Sequence, residues 1–304
     1  SRQRVLCLVS SAVVGEYADR LVRQSIDLGT SLDLEWIVMP TNDLWVRDYG
    51  PIGVLEGDQP VWLDWTYNAW GGKYPPFDLD HAIPKTLAVS LDVTVQSYET
   101  VLEGGAIEGN GDGLLLTTKA VLQSPARNPG VSQHRLDQIL QEAFGVSHVC
   151  WFDAGLKGDD TYGHVDDFAR FVRKDVVLMA QDTPGGPNEQ VLRENKETLT
   201  RFGQDLRVQQ GFDLNIIDLP MPRCEIEGTT VDGSSIVPAS YANFVFGDNT
   251  VYLPLYDPKT DREAIAIFQD ILPELEIVGI QCHDLVWGQG SIHCVTQNLI
   301  GLSE

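Results

Sequence analysis

Basic side chains are scarce in this chain of 304 residues, which has 21 lysines and arginines against 44 aspartates and glutamates. The formal net charge is therefore −23 at pH 7. A surface with this charge repels the phosphates of nucleic acids and of anionic membranes, so we predict neither as a partner. The same charge would attract small cations, although a solvated acidic surface accounts for it equally well.

Paired cysteines and long apolar runs are also missing. The five cysteines are odd in number and scattered, without a CxxC pair, which favours free thiols in a reducing, cytoplasmic setting. No apolar run reaches the length needed to cross a bilayer, and no secretory signal is recognisable. Because the sequence begins at Ser1 rather than at methionine, we leave open that residues precede it.

The patterns that are present repeat along the chain. Amphipathic periodicity predicts helices at about residues 12–28, 78–91, 132–145, 188–202 and 261–272. A short apolar strand follows each helix, at residues 34–39, 93–98, 146–152, 214–219 and 276–280. Further strands are predicted before the last three helices, at residues 113–118, 176–180 and 250–254. Such a repeat indicates blades around an axis or a stacked array, with an open βα sheet as the alternative.

Polar, glycine-flanked motifs occupy the same place in successive units, which favours the axis. They contain Asp48, Glu103, His164 and Cys294, each in the segment that follows a post-helix strand. In a closed ring, equivalent places converge on one central spot. The fourth unit offers only residues 220–225, followed by a long polar loop to residue 238 that could be a lid or a disordered excursion.

Asp166, two residues after His164, completes a group of a thiol, an imidazole and three carboxylates. Crowded carboxylates raise one another's pKa unless a cation balances them, and carboxylates bind a planar guanidinium in fork geometry. The group therefore predicts a guanidine substrate. A thiolate would add to the guanidinium carbon, an imidazole would protonate the departing ammonia, and water would then hydrolyse the S-alkylthiouronium intermediate. This chemistry needs no metal and no organic cofactor.

Each residue also has a structural interpretation. Asp48 could form a salt bridge with Arg47, and Trp45 could be a core residue. Asp159 and Asp160 read as a solvated turn. His164 and Asp166 have a spacing that occurs in metallohydrolases, but no second histidine has a ligand-like context.

Five motifs in order resemble the agmatine deiminase family, which is grouped with the bacterial type of peptidylarginine deiminase among guanidino-group-modifying proteins. They are WVRDYGP at 45–51, DWTYNAWGG at 64–72, LEGG at 102–105, GHVDDFARF at 163–171 and GSIHCVTQ at 290–297. The resemblance implies one catalytic domain over residues 1–304, an α/β fold with five propeller blades (pentein). It also implies pseudo-fivefold symmetry, a site on the central axis and a first blade that is incomplete at the N-terminus.

The resemblance also implies roles for residues. Cys294 would be the nucleophile, His164 the general acid and base, and Glu103 the carboxylate that supports proton transfer. Asp48 and Asp166 would clamp the guanidinium. The full set expected to bind substrate is Asp48, Asp166, Trp45, Asp160 and Gly290. The implied reaction converts agmatine to N-carbamoylputrescine and ammonia, and Asp159 or Asp160 would hold the far amine.

Some features depart from the family pattern. The family reads Gly-Gly-Gly-Asn where this chain has Gly288-Gln289-Gly290-Ser291, and an upstream Trp-Pro strand is missing. Deimination of peptidyl or free arginine therefore stays open, with Arg127 or Arg170 as the cation that would meet a carboxylate. A guanidinium-binding protein without turnover and a metal hydrolase are the remaining alternatives. A homodimer is left open.

Overall fold

Strands pair into five small, separate sheets in the computed structural model of this protein, across the residues that it describes, which are 4–25, 33–230 and 233–302. The first sheet contains two parallel strands, β1 (Val5–Val9) and β2 (Leu34–Val38). The other four sheets contain three strands each. They are β3 (Ile52–Glu56), β4 (Gln59–Thr66) and β5 (Thr94–Val101); β6 (Ile107–Gly109), β7 (Leu114–Thr118) and β8 (His148–Phe152); β9 (Ala169–Arg173), β10 (Val176–Gln181) and β11 (Asn215–Pro220); and β12 (Val245–Phe246), β13 (Thr250–Leu255) and β14 (Glu276–Gln281).

Long helices alternate with single-turn helices between these strands. In chain order they are α1 (Ala12–Ser25), α2 (Val46–Tyr49), α3 (Ala69–Gly72), α4 (Asp78–Leu91), α5 (Lys119–Leu122), α6 (Gln133–Phe144), α7 (Glu189–Gln210), α8 (Pro258–Ile271) and α9 (His283–Val286). Two 3₁₀ turns, Gly104–Ala106 and Val165–Asp167, carry residues next to the predicted site. Within the described ranges, none of the helices combines the length and apolar character needed to span a membrane.

Every three-stranded sheet follows the same plan. Its first two strands are antiparallel, a long helix follows, and the third strand returns parallel to the second. Parallel neighbours need a crossover connection, and the helix supplies it. We call each sheet with its helix a blade, numbered 1 to 5 in chain order; blade 1 consists of β1, α1 and β2. The repetition is the predicted five-bladed α/β propeller, and a single open sheet is excluded by the five separate sheets.

The hydrophobic core lies mainly between neighbouring blades. Leu116 of blade 3 and Met179 of blade 4 belong to one buried cluster, and Leu178 of blade 4 shares another with Phe268 of blade 5. Strand β7 is buried along its whole length, as expected for a strand packed on both faces. Packing between blades therefore joins the successive units into a continuous body.

The C-terminal segment packs against blade 2. The indole Nε1 of Trp62 donates a hydrogen bond to the carbonyl oxygen of Ile300 at 3.0 Å. A Cβ on Gly53 would lie 2.5 Å from Cγ1 of Ile300, so the glycine makes room for this contact. The segment that follows Cys294 is thereby held against the second blade.

The predicted strands are confirmed in position, whereas the first strands of the blades and β4, the second strand of blade 2, were not foreseen. Helix α6 is also confirmed: the Ser132 hydroxyl accepts from the amide of Arg135, and Gly145 ends the helix with a left-handed φ of 65°. The predicted residues 26–28 of the first helix lie outside the described residues.

The predicted end of the fourth helix at Gly203 is wrong. Helix α7 continues to Gln210, and Gly211 ends it with a φ of 68°. Gly203 remains helical, and a Cβ there would lie 3.4 Å from Cβ of Leu214, so the residue permits close packing of the helix on the following strand. A glycine inside a helix costs only about 1 kcal/mol relative to alanine, which these contacts can offset.

The start of the fifth helix was also placed too late. Helix α8 begins at Pro258, three residues before the predicted start, with the carboxylate of Asp257 accepting from the amide of Lys259 at 3.1 Å. Proline at the first helical position after an aspartate is a standard start signal.

The long connection between β11 and β12 is packed at its C-terminal end. Val237 and Ala239 are buried in the core between blades 4 and 5. Ile236 lies against the turn at Gly158, where a Cβ would stand 2.6 Å from the carbonyl oxygen of Ile236. This end of the loop therefore lies beside the His164 segment.

Candidate active site

Three of the motif residues converge because each precedes the first strand of a blade. Asp48 lies four residues before β3, Glu103 four before β6 and His164 five before β9. Cys294 follows α9 at the end of blade 5. A cavity of about 260 Å³ opens where these segments meet. Its lining residues are Asp43, Leu44, Trp45, Asp48, Trp70, Tyr74, Asp160, Thr161, His164, Asp167, Gly288, Gln289 and Cys294.

The Cys294 thiol is buried among polar groups. The side-chain amide nitrogen of Asn243 lies 3.2 Å from Sγ, and one carboxylate atom each of Asp166 and Asp167 lies within 4.8 Å of it. Burial raises the pKa of the thiol well above its ordinary value, and the charges of Asp166, Asp167 and Asp48 raise it further. In the ligand-free site the sulfur is therefore held as a thiol.

Each carboxylate oxygen of Asp48 accepts one hydrogen bond. The indole of Trp70 donates to Oδ2 and the amide of Gly105 donates to Oδ1, each at 2.9 Å. Burial nevertheless raises the pKa of Asp48 to about 6. The alternative salt bridge with Arg47 does not account for its position, because Arg47 instead donates to the carbonyl of His293 at 3.3 Å and to the amide oxygen of Asn298 at 3.3 Å.

His164 lies between two carboxylates. Its Nδ1 is 3.6 Å from Oδ1 of Asp48, and its Nε2 is 4.0 Å from Oε2 of Glu103. Burial lowers the pKa of the imidazole, although the charge of Glu103 opposes this shift. Both Nε2 of His164 and Oε2 of Glu103 are buried without a hydrogen-bond partner, so each remains available to a substrate nitrogen or a water.

Glu103 is fixed from behind by an arginine. The Nε of Arg127 donates to Oε1 of Glu103 at 2.7 Å, and both side chains are fully buried. The same guanidinium donates through Nη2 to the carbonyl of Thr161 at 2.9 Å. Arg127 therefore orients the carboxylate and ties it to the His164 loop.

Asp166 lies behind the cavity rather than on its lining. Its Oδ2 is 2.6 Å from Nδ1 of His293, while its Oδ1 is buried without a partner. Burial raises the pKa of Asp166 well above its ordinary value, with the charge of Asp48 adding to the effect. His293 also lines a second cavity of about 670 Å³ between blades 2 and 3, so the adjacent residues His293 and Cys294 face different cavities.

Asp159 is a buried loop residue rather than the solvated turn we expected. Its Oδ1 accepts from the amide and hydroxyl of Thr161 at 2.8 and 2.6 Å, and its Oδ2 accepts from the amide of His164 at 2.8 Å. Both oxygens are thus used to shape the His164 loop. Asp160, by contrast, lines the cavity, where it accepts from the hydroxyl of Tyr74 at 2.6 Å.

The glycine-rich stretch before Cys294 packs against Trp45. Gly288 and Gln289 line the cavity, whereas Gly290 lies beneath the indole, and a Cβ on it would stand 2.3 Å from Cζ3 of Trp45. Ser291, the departure noted beside the nucleophile, is buried and accepts from the hydroxyl of Tyr256 at 2.8 Å. That serine is therefore used in packing the loop.

Sequence reasoning missed several residues of this site. Asp167 and Trp70 line the cavity, and Asn243 and His293 contact the predicted residues directly. Asp167 and His293 could have been found, since each is adjacent to a selected residue. Asn243 is the contribution of the fourth repeat, which we had sought at residues 220–225. A single uncharged asparagine after a long loop has no specific chemistry in the sequence that would mark it as a site residue.

Three of these groups could also hold a metal ion. Asp166, Asp167 and Cys294 each offer one atom within 4.8 Å of the others. The metal hypothesis rested on His164 and Asp166, but His164 does not belong to this group, which was identified among the described residues. Carboxylates crowded against a thiol suit an organic cation equally well, because a guanidinium balances their charge.

A five-bladed α/β propeller with a thiol, an imidazole and carboxylates around one cavity defines the class of enzymes that modify guanidino groups. A family profile described as Porphyromonas-type peptidyl-arginine deiminase matches residues 1–299. The chain belongs to this family.

Relatives and solved structures agree with the assignment. The agmatine deiminase of Pseudomonas aeruginosa (strain LESB58) is 33% identical over 306 residues, covering 94% of this chain and 81% of the relative. The agmatine deiminase of Ectopseudomonas mendocina is 33% identical over 288 residues, with 87% and 76% covered. A cysteine-to-serine variant of the C. jejuni agmatine deiminase with substrate bound superposes with a TM-score of 0.86 at 28% identity, covering 100% of this chain and 84% of that one.

Proposed function

We propose that this protein hydrolyses agmatine to N-carbamoylputrescine and ammonia. The observation that carries the proposal is the charge of the cavity. Four carboxylates line it, those of Asp43, Asp48, Asp160 and Asp167, and its described lining includes neither lysine nor arginine. Agmatine is a cation at both ends, so it balances these carboxylates better than a molecule that carries its own carboxylate. The relatives named agmatine deiminase support the same substrate.

The two arginines considered for an arginine substrate are committed elsewhere. Arg127 holds Glu103 and the carbonyl of Thr161. Arg170 donates to Glu108 at 2.8 Å and to the carbonyls of Ala242 and Phe244, each at 2.9 Å. Neither is on the described lining of the cavity, where a substrate carboxylate would need a cation. This arrangement favours agmatine over free arginine.

The first chemical step follows from the protonation of the empty site. Carboxylates around Cys294 hold the sulfur as a thiol, and an arriving guanidinium reverses that effect because its charge stabilises the thiolate. The proposed clamp consists of Asp48, on the cavity lining, and Asp166 behind it, whose Oδ1 is buried without a hydrogen-bond partner. The thiol proton passes to the neutral imidazole of His164, the resulting thiolate forms a C–S bond to the central guanidinium carbon, and the C=N π electron pair moves onto nitrogen.

The proton transfers fall to His164. The imidazole protonates one terminal nitrogen, which leaves as ammonia with the pair of the broken C–N bond, and an S-alkylthiouronium remains on Cys294. The neutral imidazole then removes a proton from water, whose oxygen adds to the same carbon. When the C–S bond breaks, its electron pair returns to sulfur and the remaining hydroxyl proton is transferred to it, which restores the thiol and releases the neutral ureido product. Glu103, whose Oε2 lies 4.0 Å from Nε2 of His164, would hold the reacting nitrogens and the imidazolium.

The far amine of agmatine is proposed to lie at Asp160. This carboxylate is on the cavity lining, although Lys73 Nζ lies 3.6 Å from it and competes for its charge. Asp43 is a second carboxylate on the lining and provides a matched control. If Asp160 binds the amine, Asp160→Asn raises KM for agmatine by about 10-fold or more and leaves KM for butylguanidine, which lacks the amine, within about 2-fold. If the selective effect appears in Asp43→Asn instead, the amine site moves to Asp43.

The deciding experiment is ammonia release from agmatine, arginine and a peptide with a C-terminal arginine, each with and without a chelator. Release from agmatine that is indifferent to the chelator is the expected result. Release from arginine or from the peptide would keep the mechanism and overturn the substrate. Saturable binding of agmatine without ammonia would indicate a binding protein, and loss of activity with the chelator would indicate a metal hydrolase.

Three broader statements belong to the same proposal. Residues 1–304 act as one catalytic domain, which the buried clusters shared by neighbouring blades support. The protein works in the cytoplasm, which its free cysteines support. Light scattering of the purified chain will determine whether it is a homodimer.

A further inference from the structure

Asn243 lies between the last strand of blade 4 and the first strand of blade 5, at the place where the other blades have a site residue. It lies two residues before β12, the first strand of blade 5, just as Asp48, Glu103 and His164 precede the first strands of blades 2, 3 and 4. The side chain is fully buried. Its position in the ring is therefore equivalent to those of residues already placed in the site.

The side-chain amide of Asn243 connects the nucleophile to its surroundings with a fixed orientation. Its oxygen accepts from the backbone amides of His293 at 2.9 Å and Cys294 at 3.3 Å. Because two N–H donors fix the oxygen, the NH₂ group must face the other way. There it donates to Oδ1 of Asp167 at 2.9 Å and lies 3.2 Å from Sγ of Cys294, closer than the amide oxygen, which accepts from the same thiol at 3.5 Å.

We propose that Asn243 is a positioning residue that holds the Cys294 sulfur in place and stabilises its thiolate. A donor directed at a sulfur favours the charged form of that sulfur. The same NH₂ group binds Asp167, so it also offsets one of the carboxylates that disfavour the thiolate. This inference rests on the proposed function, because it assigns a further residue to the same reaction.

Replacing Asn243 by aspartate or by alanine should destabilise the thiolate of Cys294. Asn243→Asp keeps the shape, removes the donor and adds a carboxylate beside the sulfur. Asn243→Ala removes the donor without adding charge. Asn195→Ala is the matched control. Asn195 lies in helix α7, is also buried, and donates a hydrogen bond to the carbonyl oxygen of Ala154 at 2.8 Å.

The test measures alkylation of Cys294 by iodoacetamide against pH, followed by mass spectrometry of the Cys294 peptide, together with kcat and KM for agmatine. Both Asn243 variants should shift the alkylation midpoint to higher pH by about one unit or more. Their kcat should fall by about 10²-fold or more, with KM within about 3-fold. Asn195→Ala should match the wild type in all three quantities. The alanine variant keeps the test valid if the aspartate variant does not fold.

The failures of the two proposals are distinguishable. An unchanged alkylation profile in a folded Asn243 variant would overturn the positioning role, even if the wild type releases ammonia from agmatine. Absence of turnover in the wild type would overturn the proposed function, and the alkylation profile would still decide the role of Asn243. A loss of kcat in the variants without a shifted profile would also contradict the positioning role.

Discussion

At the scale of single residues, Cys294, the proposed nucleophile, illustrates how a sulfur can be kept unreactive until substrate binds. The thiol is buried, and Asp166, Asp167 and Asp48 all disfavour its ionised form. A cation in the cavity would compensate these charges, and the proposed substrate brings one. Reactivity of the sulfur is thus coupled to binding of the molecule that it attacks.

The substitution Cys294→Ser tests this residue. A hydroxyl is a far poorer nucleophile than a thiolate, so turnover should fall by about 10³-fold or more while agmatine still binds. Ammonia release and calorimetric titration measure the two quantities. Cys224→Ser is the control, since Cys224 is half-buried beside His283 in blade 5 and should retain full activity. Near-normal turnover in the Cys294 variant would refute the mechanism.

At the scale of elements, the 3₁₀ turn Gly104–Ala106 shows why the site needs glycine. A Cβ on Gly105 would lie 2.5 Å from Nδ1 of His164, 2.8 Å from Oδ1 of Asp48 and 3.2 Å from Oδ1 of Asp166. The backbone at residue 105 therefore lies so close to three proposed site residues that only glycine, which has no Cβ, fits there.

Gly105→Ala should consequently reduce kcat/KM by about 10²-fold or more, because the methyl group displaces His164 and the clamp together. Gly109→Ala, at the end of β6, is the matched control: a Cβ there would meet a single atom at 3.8 Å, the carbonyl oxygen of Leu114. Steady-state kinetics on both variants, with thermal unfolding to confirm folding, measure the difference. Equal activity of the two variants would contradict the close approach.

Periodicity in the sequence was sufficient to predict helices α4 and α6 and every strand that follows a long helix, since burial of one face imposes a regular pattern. It was insufficient for β12, which has only two residues. It was also insufficient for the end of α7, because packing against Leu214 keeps Gly203 helical and the helix ends only before Gly211. Charged and nucleophilic site residues could be selected because their chemistry is specific. Asn243 could not, because its importance follows from contacts with segments 50 and 77 residues away along the chain.

At the scale of the whole molecule, the buried carboxylates make stability depend on pH. The pKa of Asp48 is raised by burial to about 6 in the folded state, and those of Asp166 and Asp167 are raised as well. A carboxyl whose folded pKa is raised stabilises the fold below its unfolded pKa, and this contribution is lost as pH rises through the folded pKa. The free enzyme should therefore lose stability between pH 4 and pH 7.

The part due to Asp48 can be isolated with Asp48→Asn. From pH 5 to pH 7 the free energy of unfolding of the wild type should fall by about 1 kcal/mol more than that of the variant, given the size of the shift. Urea unfolding at several pH values measures this difference. Asp153→Asn, at a side chain that is 83% exposed, should follow the wild type. Parallel curves for the wild type and Asp48→Asn would refute the assigned pKa.

The order of the site residues along the chain has a consequence for biosynthesis. Asp48, Glu103, His164 and Asn243 are all translated before Cys294, whose backbone amide bonds to the Asn243 side chain. On the ribosome, the carboxylates and the imidazole of the proposed site are thus synthesised before its nucleophilic sulfur. Catalytic competence is therefore among the last properties that synthesis confers, because a chain that ends before residue 294 contains the carboxylates but not the nucleophile.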